Sequence, residues 1–117
     1  MFYITRIYTD HNDDSQFEDI SIPLDGNGEI GSLSELVPAK GMIFREVEAS
    51  YDYDFHNAPQ KQYIILLDGE IEIETSLGIK RSFSAGDILL VEDTHGKGHK
   101  TKNLKNQKRR SIFIPVA

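Results

Sequence analysis

The chain has no cysteine. Disulfides, thiolate nucleophiles and cysteine-based zinc sites are therefore excluded. No stretch holds eighteen consecutive apolar residues, so a membrane-spanning helix is not expected. The N-terminal MFYITRIYTD lacks the charged, apolar and small-residue blocks of a secretion signal, and a cytoplasmic protein is the expectation. Acids are missing too, though only locally. After Asp93 there are none, while Lys97, Lys100, Lys102, Lys105, Lys108, Arg109 and Arg110 follow. Residues 1–60 show the reverse, with twelve acids against Arg6, Lys40 and Arg45. A basic run can mark a nucleic-acid footprint. This one carries no interleaved aromatic ring to stack on bases, and the chain's net charge is −6. No nucleic-acid partner is expected; the run reads as a solvated strand edge and hairpin loop.

What is present suits a globular protein. The apolar fraction is 38%, the charged fraction 27%, and 117 residues suffice for one domain with its own core. The dominant period is two. Residues 70–74 alternate strictly between glutamate and isoleucine, which predicts a strand with one buried and one wet face. Similar short runs are expected at 3–8, 17–22, 42–48, 51–55, 79–83, 88–91, 100–102 and 111–116, separated by turns such as Ser76-Leu77-Gly78 and Ser84-Ala85-Gly86-Asp87. The only helical signal is Ser32 with Glu35, a capping-box pair that predicts about one turn over 32–37. The spacing predicts an all-β sandwich or barrel. Tyr63-Ile64-Ile65-Leu66-Leu67 is apolar on both faces. One face is assigned to the interior, and the other needs an N-terminal strand or a second subunit; a homodimer is expected.

Two stretches carry the candidate chemistry: FHNAPQKQY at 55–63 and EDTHGKGHK at 92–100. The second lacks the Lys-Ser/Thr ending of a phosphate loop and leads into a β-run. It reads as a bulged inter-strand loop whose glycines relieve backbone strain and whose His99 returns to the barrel. His95 lies in that loop, and Glu92 and Asp93 stand at the same rim, where a carboxylate beside an imidazole would make an acid/base pair. His11 in DHNDD reads as a solvated turn, and Asp25-Gly26-Asn27-Gly28 lacks the spacing of a calcium loop. In YDYD at 51–54, either the tyrosines or the aspartates face inward.

From about residue 51 to 103 the chain resembles the cupins, small jelly-roll barrels. Their first motif is G-x5-H-x-H-x3-E-x6-G, with three or four residues before the glutamate, and their second is G-x5-P-x-G-x2-H-x3-N. His56 stands at the first histidine, Ala58 at the second, Gln62 at the glutamate and Gly69 at the closing glycine. Gly86, Gly96, His99 and Asn103 match the second motif. Ser50 replaces the opening glycine, Thr94 stands where proline is usual, and two residues are inserted between Gly86 and Gly96. The whole layout is similar to small single-domain bacterial cupins.

The resemblance implies an all-β jelly-roll barrel with at most one short helix, spanning 1–117 as one domain. It also implies a site inside the barrel. In metal-binding cupins both motif-one histidines, the glutamate and the motif-two histidine hold one divalent ion such as iron, manganese, zinc or nickel. Here His56, Gln62 and His99 remain as ligands, all neutral, so a weak metal site and no metal stand as alternatives. His56 and His99 are alternatively direct acid/base groups. Gln60, Gln62, Tyr63, Glu92 and His95 are the expected ligand-binding residues. The function implied is isomerase, epimerase, lyase or metal-dependent oxidoreductase chemistry on a small polar metabolite, or else a non-catalytic small-molecule-binding module.

Overall fold

The computed structural model describes residues 1–117, with the side chain of Asn27 outside the description. Twelve strands form among the described residues: β1 Phe2–Thr9, β2 Ser15–Ile22, β3 Asp25–Gly28, β4 Gly31–Leu33, β5 Ile43–Val47, β6 Asp52–His56, β7 Gln62–Leu66, β8 Glu70–Thr75, β9 Lys80–Ser84, β10 Ile88–Val91, β11 His99–Asn103 and β12 Arg109–Pro115. Ten lie within two residues of the strands expected from the alternation.

A six-stranded sheet runs β2-β1-β10-β7-β12-β5, and a four-stranded sheet runs β6-β11-β8-β9. The two meet over a shared core. Ile7, Leu66, Leu89 and Val91 come from the larger sheet, and Ile71, Ile73 and Phe83 from the smaller. In β8 the isoleucines are buried and the glutamates half-exposed, the phase that a two-residue period dictates. The outcome is an all-β jelly roll.

Two sequence expectations differ from the structure. Residues 25–33, where no strand was expected, form the β3–β4 hairpin. The turn of helix expected over 32–37 does not form, and among the described residues there is no helix. The Ser32 hydroxyl donates to the Gly26 carbonyl across that hairpin, so the capping group is already taken.

β7 is central in its sheet, with β10 on one side and β12 on the other. Gln62, Ile64 and Leu66 face the interior cavity. Tyr63 and Ile65 face an outer groove with Phe2, Ile88 and Ile114, across which Val37 and Ala39 lie. The two-sided apolar strand thus has a cavity on one face and a shallow apolar groove on the other.

Candidate functional site

Between the sheets lies a cavity of about 300 Å³. Its floor is Ile64, Leu66, Ile71, Ile73, Leu89 and Val91. Around that apolar floor stand His56, Gln62, His99, Tyr51, Arg45 and Arg109. An apolar pocket with a few convergent polar groups is the usual form of a small-molecule site.

The histidines come together by strand register. β6 and β11 pair antiparallel with His56 opposite His99, so both rings share a face, and their centroids are 4.7 Å apart. Gly98 permits this approach. Its φ is +76°, and a Cβ there would collide with the His56 backbone carbonyl. Asn57 ties the preceding loop to the rim by donating to the Gly96 carbonyl at 3.1 Å.

Each ring is oriented through Nδ1. In His99, Nδ1 lies 2.5 Å from Asp93 Oδ2. Asp93 is fully buried, and the same oxygen accepts the Ser15 hydroxyl at 2.8 Å. The Asp93 backbone carbonyl accepts the Ala58 amide at 3.0 Å, which fixes the carboxylate relative to β6. His56 Nδ1 donates to the Asp54 carbonyl at 2.8 Å. A carbonyl only accepts, so Nδ1 carries the proton and Nε2 is left with a lone pair in the neutral ring. Burial pushes the His56 pKa below the usual histidine range, against the opposing hydrogen bond to Asp54. Tyr53 lies against this ring at 4.0 Å between centroids. The tyrosines of YDYD therefore line the cavity, and Asp52 faces a separate surface cleft among lysines and glutamates.

The opposite wall is cationic. Arg109 is 2% exposed, and its Nε donates to Asn103 Oδ1 at 2.9 Å. Asn103 is itself held by the Glu48 carbonyl at 3.0 Å. Gly69, at φ +70°, leaves room for the arginine stem, with its missing Cβ 3.1 Å from Arg109 Cγ. Arg45 sits on the neighbouring strand, its guanidinium 4.9 Å from the Tyr51 ring centroid and 5.0 Å from that of Phe113. Neither arginine has a carboxylate partner among the described residues.

Of the site residues expected from the sequence, His56, Gln62 and His99 line one cavity. Four others lie elsewhere. Tyr63 faces the outer groove, because it alternates with Gln62 along β7. Glu92 accepts from Arg6 Nε at 2.9 Å and pairs with Lys61 at 3.4 Å, on the outside of the barrel. His95 is exposed in the rim loop, where its carbonyl accepts the Thr9 hydroxyl. Gln60 is half-buried and does not line the cavity. His11 is exposed in a turn organised by the Asp10 carboxylate, which accepts the Asn12 and Asp14 amides. Sequence reasoning missed Arg45 and Arg109. A signal existed for Arg109, which shares a period-two face with the cavity residue Phe113 in β12. Arg45 is in phase only with the apolar Ile43 and Val47 in β5, which do not line the cavity.

The metal implied by the resemblance can be tested against these residues. Gln62 Oε1 is buried without a hydrogen-bond partner, and two imidazole Nε2 atoms are unengaged, so neutral donors exist. Among the described residues no carboxylate lines the cavity; Asp93, the partner of His99 Nδ1, is not part of the lining. Among the described residues no three His, Asp or Glu side chains are grouped to hold an ion. Two uncompensated guanidinium groups occupy the same cavity. A divalent cation does not fit this donor set.

No protein-family model and no curated protein matches the chain. Solved structures do match its fold. The cupin domain of Schizosaccharomyces pombe Cnp3 superposes with a TM-score of 0.53 at 15% identity, covering 98% of this chain and 84% of that one. A Salmonella typhimurium protein described as a candidate ethanolamine utilization protein Q superposes with a TM-score of 0.51 at 12% identity, covering 99% and 96%. The chain has the cupin fold. At these identities the likeness concerns the fold alone.

Proposed function

We propose that this cupin binds a small polar metabolite in its interior cavity and moves a proton on it, as an isomerase or epimerase does. The observation that supports this most is the Asp93–His99 pair opening onto the cavity beside His56. A buried carboxylate on Nδ1 holds the imidazole in one orientation, leaves Nε2 as the base and stabilises the imidazolium that forms.

The chemistry can be written without any further group. His99 Nε2 takes a proton from a carbon next to a carbonyl, and the C–H electron pair moves onto the carbonyl oxygen as an enolate. The proton returns to that carbon from His99 or by way of His56, and His99 is neutral again. Where that carbon bears a hydroxyl, the proton can instead go to the former carbonyl carbon while the hydroxyl proton passes to the enolate oxygen. His56 is suited to the second role because burial keeps it neutral at neutral pH, with Nε2 free. The apolar floor keeps the enolate away from bulk water.

The test is hydrogen exchange from deuterated water into small 2-oxo and 2-hydroxy acids and their neutral analogues, followed by NMR. Wild-type protein is expected to exchange the carbon-bound proton of at least one class. His99→Asn is expected to lower that rate by about 10²-fold or more. Asp93→Asn is expected to lower it by a smaller factor, with both variants retaining the wild-type circular dichroism spectrum. Dialysed protein that exchanges should contain far less than one metal ion per chain. Binding without exchange in any compound would replace this reading by the non-catalytic module.

A further inference from the structure

The two cavity arginines have no role in the chemistry above. A buried guanidinium is ordinarily paired, because removing its charge from water is costly and only a close counter-charge offsets the loss. Arg109 is not paired. Its one hydrogen bond among the described residues runs from Nε to a neutral amide oxygen, leaving the Nη groups unused. Asp68, whose charge also acts on Arg109, is already engaged by Arg110 at 2.9 Å.

The neighbouring arginine adds to this cost. Ser111 in β12 lies opposite Arg45 in β5, and Arg109 is two residues from Ser111 on the same face. The two guanidinium groups are therefore diagonal neighbours, and Arg45 acts on Arg109 as a like charge. Tyr51 separates them, with the Arg109 guanidinium 5.6 Å from its ring centroid and that of Arg45 4.9 Å away. Aromatic contact holds the groups in place but supplies no negative charge. Gln62 Oε1, an unsatisfied acceptor in the same cavity, asks for a donor on the ligand.

We infer that the cavity binds an organic oxyanion, a carboxylate or phosphate monoester clamped between Arg45 and Arg109, with a hydroxyl group donating to Gln62. The planar guanidinium presents two parallel N–H donors that match either oxyanion, and charge-assisted bonds of this kind are the stronger ones. A cavity of about 300 Å³ limits the ligand to a small molecule. The inference rests on the reading that this cavity holds the ligand, and is independent of whether a proton is then moved.

The experiment is calorimetric titration in low-chloride buffer with four probes: succinate, glycerol 3-phosphate, and their neutral counterparts succinamide and glycerol. At least one anion is expected to bind, with its neutral counterpart weaker by roughly tenfold or more. The preferred anion separates the carboxylate source from the phosphate source. Arg109→Met and Arg45→Gln are each expected to weaken that anion by roughly tenfold or more, and Lys102→Ala to leave it unchanged. Should Arg109→Met fail to fold, Arg45→Gln gives the same answer from a less buried position. Equal affinity in wild type and both arginine variants overturns the inference, as does binding of none of the anions at millimolar concentration. Anion binding without deuterium exchange would uphold the clamp and remove the proton-transfer reading. Exchange on neutral compounds, unaffected by Arg45→Gln, would do the opposite.

Discussion

Two sets of basic side chains sit in the same C-terminal stretch and end in opposite circumstances. Lys97, Lys100, Lys102, Lys108 and Arg110 point outward, and each meets an acid: Asp14, Glu74, Glu72, Glu46 with Glu48, and Asp68. Arg109, between Lys108 and Arg110 in sequence, points inward and meets Asn103, Tyr51 and the like charge of Arg45. The strand pleat alone makes the difference, since adjacent residues face opposite sides. The outward set answers the charge asymmetry of the sequence. The acids of β5 and β8 and the bases of β11 and β12 are cross-strand neighbours. The inward arginine is left for a ligand.

The sharpest way to break this comparison is to remove Arg109 in the absence of any ligand. An arginine that holds the fold together destabilises when truncated. An uncompensated one beside a like charge should do the reverse. Arg109→Met keeps the apolar stem and removes the charge, so the ligand-free protein is expected to gain about 1 kcal/mol in urea unfolding. A loss of about 3 kcal/mol, the usual result of breaking a buried ion pair, would mean that a partner has been overlooked. The double variant with Arg45→Gln should gain less than the sum of the two single changes, because the repulsion can be removed only once.

How far the sequence foretold this division is visible in individual residues. β8 and β10 were legible because each has a single wet or dry phase, and the His56–His99 pair because His56 stands at a histidine position of the first motif and His99 at that of the second. Gln62 stands at the motif's glutamate position and lines the cavity, and alternation along β7 assigns Tyr63 to the other face, where it lies. Arg109 was hidden because a run of charges reads as one surface, and only its phase with Phe113, four residues on, separates it. The β3–β4 hairpin was obscured by glycines that could belong to any turn. Asp93 was legible as a rim carboxylate. Its union with His99 depends on the inserted loop folding back through Gly96 and Gly98, a three-dimensional event with no local signature.

A second measurement sharpens the contrast from the histidine side. Burial lowers the His56 pKa relative to the unfolded chain, where an ordinary histidine titrates near 6.5. Below that value the unfolded state binds more protons than the folded one, so stability rises with pH through the window beneath 6.5 and is fully present above it. Wild-type protein is expected to lose stability as pH falls from 6.5, and His56→Gln to lose less over the same interval. A bound oxyanion should narrow the window, because a negative charge nearby favours the imidazolium. Identical profiles for wild type and His56→Gln would show that the ring is more solvated than its position implies.

The smallest effect is expected on the outward face, and its smallness is what the comparison requires. Lys102 lies 3.8 Å from Glu72 across β11 and β8, with the lysine about half-exposed. Such a pair gains little Coulomb energy in a high-dielectric surrounding, and holding two long side chains together opposes that gain. Lys102→Ala is expected to cost about 0.5 kcal/mol or less in low salt, and the difference should shrink further at 0.5 M salt, where exposed charges are screened. The same salt should shrink the ligand-free gain of Arg109→Met, because small anions entering the cavity offset the guanidinium charge of the wild type. Two basic residues seven positions apart would then differ in the sign and the size of their contributions, with salt moving the two in opposite directions. If the two changes instead gave the same sign and the same salt slope, the distinction between a paired surface and an unpaired cavity wall would fail, and with it the case for an anion between Arg45 and Arg109.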